Sequence, residues 1–183
     1  MSAKWEDALK DRLSLYGHRN WIVIADSAYP AQSSGGVETI VSDGEQTAVL
    51  ATTFALLSES QHIKPTIYTD QELDFVSEAD ARGVTAYRRQ LEQLLKGQNV
   101  RVLPHEKIIS RLDRVGQMFR VLLIKTTMCI PYTSVFFELE CGYWNAEAEK
   151  RLRASMKSSN GKRNTTKRKK RPELCIPESR VQP

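Results

Sequence analysis

The chain has 183 residues and a net charge of +5, with 27 Lys and Arg against 22 Asp and Glu. That length suits one domain with an appendage and a sizeable core, and no apolar run reaches the roughly 18 residues needed to span a bilayer. Three cysteines, Cys129, Cys141 and Cys175, show no metal-ligand spacing, and the N-terminus lacks the apolar stretch of an export signal. These features argue for structural thiols in a soluble chain of the reducing cytoplasm.

The charge is unevenly placed. From Arg151 to Pro183 there are 11 Lys and Arg against 2 Glu, a net of +9, so residues 1–150 carry −4. A mildly acidic body (1–150) with a basic tail (151–183) marks a domain boundary rather than a nucleic-acid-binding fold.

Residues 3–16 place Trp5, Leu9, Leu13 and Tyr16 at helical spacing before Gly17. Trp21 to Ala25 follows as a short apolar run, opened by the turn Gly17-His18-Arg19-Asn20 and closed by Asp26. Such a run predicts a strand covered on both faces, hence an α/β sheet. At about 3.3 Å per residue His18 and Asp26 lie at opposite ends of that strand. A second subunit or a sharp fold-back must join them if both serve one site.

Ser27 to Gly36 reads as a loop able to close over a small ligand, Val37 to Val41 as a short strand, and Glu45 to Leu57 as a helix. Lys64 to Thr69 is a strand, preceded by a polar connector whose His62 reads as solvated; Leu73 to Ala81 is acidic, and Val84 to Lys96 is an amphipathic helix. Val100 to Leu103 is a strand ending at Pro104-His105-Glu106, ahead of the helical pattern of Ile108, Ile109, Leu112 and Val115. His105 thus sits at a strand-to-helix junction, where α/β proteins often place ligand groups. Met118 to Lys125 and Ser134 to Leu139 are the last strands, which makes the sheet mixed. Tyr132, in the loop between them, reads equally as a core aromatic. Asn145 to Lys157 extends as a charged helix, and the apolar-poor run after it predicts disorder. Lys167 to Arg171 suits weak contacts with nucleic acid or an acidic partner through counterion release, without sequence readout.

With Gly17-His18 eight residues before Asp26, the junction Pro104-His105-Glu106, and Val121 to Thr126 leading to Pro131-Tyr132-Thr133-Ser134, the chain resembles the sugar pyranase and mutarotase family that includes D-ribose pyranase and L-fucose mutarotase. The match runs over about residues 10–143. The resemblance implies a three-layer α/β fold with a mixed, mostly parallel sheet, and a ring-shaped homo-oligomer, often a decamer, with sites between neighbouring subunits. It makes His18 the general acid, and Asp26, His105, Tyr132 and Ser134 the residues that bind a monosaccharide. No metal or redox cofactor is needed, because opening a sugar ring takes one proton from the anomeric hydroxyl and gives one to the ring oxygen, which suits a histidine.

Two positions depart from the family pattern. Ser134 stands where an Asn is usual, and Thr126-Thr127-Met128 replaces a stretch that commonly ends in Glu. The first expectation is therefore a cofactor-independent mutarotase or pyranase, and the alternative is a non-catalytic sugar-binding or regulatory member of the same fold. A third reading, an adaptor working through the tail, predicts binding that falls steeply with salt.

Overall fold

The run Trp21–Ala25 is strand β1, and all five residues are buried. A strand hidden on both faces needs a covering layer on each side. In this computed structural model, which describes residues 3–166, three helices form one layer: α1 (Ala3–Leu15), α2 (Gln46–Glu59) and α3 (Val84–Leu95). Their Leu9, Leu50 and Leu91 join Ile22 and Ile24 in one core cluster. The other layer is α4 (His105–Met118), which sets Ile108 and Leu112 in a second cluster with Val23 and Phe136.

Five more strands complete the sheet: β2 (Val37–Val41), β3 (Ile63–Asp70), β4 (Val100–Leu103), β5 (Val121–Lys125) and β6 (Val135–Cys141). Their order is β2-β5-β1-β6-β3-β4. β5 is parallel to β1 and β2, and β3 to β4, while β6 runs antiparallel between β1 and β3. Five strands therefore end at one edge of the sheet, and β6 alone begins there. This is the three-layer, mostly parallel α/β fold expected from the sequence. Val135 of β6 pairs with both Ile24 and Thr69, so the preceding Ser134 enters the sheet between the ends of β1 and β3.

Three local features differ from the sequence reading. Met118 closes α4 rather than opening a strand: the Phe119 N–H donates to the Val115 carbonyl at 2.7 Å, and β5 starts only at Val121, whose N–H reaches the Gly36 carbonyl. The acidic stretch begins with a 3-10 turn, Gln71–Phe75, held by the Arg88 guanidinium, which donates to the carbonyls of Leu73, Asp74 and Val76. That clasp is tertiary, and no local pattern announces it.

The third concerns the C-terminal unit, which divides from the first between Tyr143 and Trp144. Helix α5 (Ala146–Thr166) begins where the Asn145 side chain caps the Ala148 N–H at 2.8 Å. Its backbone continues past Lys157, where the sequence reading ends the helix. The basic run Lys167 to Arg171 and Cys175 lie outside the described residues. No helix among the described residues is long and apolar enough to cross a membrane.

One close approach fixes the start of β2 against α4. A Cβ at Gly36 would meet the Gly116 carbonyl oxygen, and the Phe119 carbonyl oxygen at 2.7 Å, all backbone that cannot rotate away. Gly36→Ala is expected to cost about 3 kcal/mol, measured as a lower denaturation midpoint. At Gly35 an added Cβ meets nothing within 4 Å, so Gly35→Ala serves as the near-neutral control.

Candidate functional site

The edge where five strands end gathers polar residues that the chain keeps far apart in sequence. Asp26 follows β1, and its Oδ1 accepts the Ala28 N–H at 2.9 Å, which turns the loop over the sheet edge. Its Oδ2 lies 3.3 Å from Ser134 Oγ, which donates to it. Register explains the pair, since β6 carries Ser134 in beside the end of β1.

The loop from Thr126 to Ser134 is anchored from below by a buried polar network. Gln46 of α2 donates to the Thr133 carbonyl and, at 3.0 Å, to the Tyr87 hydroxyl, which itself donates to Thr133 at 2.8 Å. The Thr126 hydroxyl donates to the Ala25 carbonyl at 2.9 Å. With every partner satisfied, such a network fixes one loop conformation. It holds Tyr132 at φ 59°, a left-handed backbone that a bulky residue rarely adopts. Tyr132 is 39% exposed, not a core aromatic, and its ring meets His105 edge to face at 5.5 Å.

His105 opens α4. Its backbone N–H donates to the Glu72 carboxylate at 2.9 Å, which places a negative charge at the helix N-terminus where the dipole favours it. Its Nδ1 lies 3.0 Å from Oδ2 of Asp70 at the end of β3. Asp70, 2% exposed, is the functional candidate that the sequence reading missed. No local signal marks it, because only the strand order sets Asp70 beside Ser134, opposite Asp26. Burial pushes the Asp70 carboxyl up to about 6 against the opposing pull of His105.

Asp26, Tyr29, His105, Ile109, Cys129 and Tyr132 line a cavity of about 540 Å³, within the range of small-ligand sites. A larger cavity of about 890 Å³ between α3 and β4 contains none of the four expected sugar-binding residues. Of those four, Asp26, His105 and Tyr132 face the smaller cavity, while Ser134 is buried behind Asp26 as its hydrogen-bond donor. His18 is elsewhere. It is exposed in the turn before β1, at the opposite edge of the sheet, where the Arg19 N–H donates to Leu139 at the far end of β6. No fold-back joins it to Asp26 within one chain.

The buried acid has a consequence for stability. Asp70 has a folded pKa raised from 3.8 to about 6, so its protonated form favours the folded state. That contribution is complete below about pH 4 and is lost as pH rises through about 6. The urea midpoint of the wild type relative to Asp70→Asn is therefore expected to fall across that window; a flat difference would contradict the burial.

No protein-family model and no curated protein matches the chain. Solved structures do. RbsD of Bacillus subtilis, in complex with D-ribose, aligns with a TM-score of 0.50 at 22% identity, covering 73% of this chain and 91% of that one. FucU of Bifidobacterium longum aligns with a TM-score of 0.50 at 13% identity, covering 73% and 94%. The fucose mutarotase of Streptococcus pneumoniae, in complex with L-fucose, aligns at 0.47 and 21% identity, covering 71% and 89%. In its fold, this chain resembles the RbsD and FucU family.

Proposed function

We propose that the protein is a mutarotase or pyranase that interconverts ring forms or anomers of a free monosaccharide by acid/base catalysis. The observation that carries this reading is the convergence of Asp26, His105 and Tyr132 on one cavity, at the sheet edge of a fold shared with a D-ribose complex. Asp26 and His105 offer hydrogen bonds to sugar hydroxyls, and the exposed Tyr132 ring offers an apolar face and a hydroxyl. Ring opening is a proton exchange without a change in oxidation state. His18 is the acid that protonates the ring oxygen, and it is supplied by a neighbouring copy, because β1 separates it from Asp26 within one chain.

One observation favours the alternative, a non-catalytic sugar binder. Met128, where a carboxylate is usual in the family, packs against the apolar core and is not part of the cavity wall. Magnetisation-transfer NMR with D-ribose, L-fucose and a panel of other free sugars separates the two. Accelerated exchange between ring forms of any one sugar supports the isomerase. Ligand line broadening without acceleration in the whole panel would leave the binder.

A further inference from the structure

We infer that Asp70 is the positioning residue that makes His105 a proton acceptor, by taking the Nδ1–H and leaving the Nε2 lone pair for the cavity. The inference rests on the sugar-ring reading for the identity of the proton that is accepted, and on geometry alone for the state of the imidazole.

A neutral imidazole has one N–H and one lone pair, and the hydrogen bond at one nitrogen decides which is which. Asp70 Oδ2 stands 3.0 Å from Nδ1. An ionised carboxylate can only accept, so Nδ1 must be the donor and Nε2 the base. The ring cannot escape this choice easily. Its backbone N–H is tied to Glu72, its ring packs edge to face with Tyr132, and Asp70 is fixed at the end of an interior strand. Nε2 has no hydrogen-bond partner among the described residues, although His105 is part of the cavity wall. Asp70 Oδ1 is likewise buried without a partner, so this acid is not held by a saturated structural network.

The neighbouring charged groups are carboxylates. Around His105 stand Asp70 from β3, at Nδ1, Glu72 from the 3-10 turn, at the backbone N–H, and Asp26 after β1, on the same cavity; among the described residues the cavity wall contains no Lys or Arg. In the ring-opening step, the anomeric O–H bond breaks and its proton passes to Nε2. The freed electron pair forms the carbonyl as the ring C–O bond breaks. The ring oxygen takes a proton from His18 of the neighbouring copy, and reclosure runs the two transfers in reverse.

The test is ¹⁵N NMR of the full-length protein labelled in its histidine rings, at pH 8. His105 is expected as the Nδ1–H tautomer in the wild type, and to shift toward Nε2–H in Asp70→Asn while the amide spectrum elsewhere is kept. For any sugar the protein accelerates, Asp70→Asn is expected to lower kcat by about 10²-fold with KM within about twofold. A wild-type His105 in the Nε2–H form would overturn the inference, as would a tautomer or a kcat indifferent to the substitution. The wild-type spectrum needs no variant, so a misfolded Asp70→Asn does not remove the test. Absence of exchange with every sugar, alongside the Nδ1–H tautomer, would sink the isomerase reading and leave the dyad standing.

Discussion

Replacing His18 with Ala is expected to slow sugar-ring exchange by about 10²- to 10⁴-fold, the usual contribution of a positioned acid or base. Stability should change by no more than about 0.5 kcal/mol, because His18 is exposed on a turn. Asp26→Asn is expected to be similarly inactive, for loss of charge at the other end of β1. If the proposed site is shared between copies, the two defects lie on its different halves, and that makes a sharper result available. Mixing the variants 1:1 and letting the subunits reassemble yields about a quarter of interfaces with both native residues. Exchange should return to about that fraction of the wild-type rate. Failure of the mixture to recover, with subunit exchange demonstrated, would show that His18 and Asp26 do not meet across an interface.

The second large effect is on stability. Phe137 is fully buried on β6, pairs in register with Ile22 and Ile67, and meets Phe54 edge to face at 5.3 Å. Phe137→Ala removes a ring from the strand that binds the two halves of the sheet together. Its expected cost is about 3–5 kcal/mol, a large share of the roughly 5–15 kcal/mol that holds a typical domain. A domain of this size should lose on the order of 10 °C in Tm. Tyr132→Ala is the informative contrast. Its ring is at the surface, so the substitution should barely move Tm while weakening sugar binding. A Phe137→Ala protein that melts with the wild type would contradict the central place of β6.

Much of this architecture was legible in the chain. Trp21 to Ala25 is an apolar run too short for a helix and too continuous for a half-exposed strand, so it had to be an interior strand, and it is. His105 follows a strand and opens a helix, as Pro104-His105-Glu106 suggested. Strand length alone separated His18 from Asp26, and the structure keeps them at opposite edges. What remained hidden depends on distant partners. Asp70 becomes a candidate only beside His105, 35 residues away, and Gln46 only through Tyr87 and the Thr133 carbonyl. Ser134, a sugar ligand only by resemblance, is buried and donates to Asp26. Met118 looked like the start of a strand because an apolar residue before a strand has no local mark that assigns it to the preceding helix.

One titration tests the site at the sheet edge directly. Full-length protein carrying ¹³C labels in its histidine and tyrosine rings would be titrated with D-ribose and with L-fucose. His105 and Tyr132 signals are expected to shift saturably with at least one sugar, with a common midpoint, while those of His62 and Tyr143 stay in place. Sugar-induced shifts that spare His105 and Tyr132, or no shift with either sugar at saturating concentration, would contradict the assignment of this cavity as the monosaccharide site.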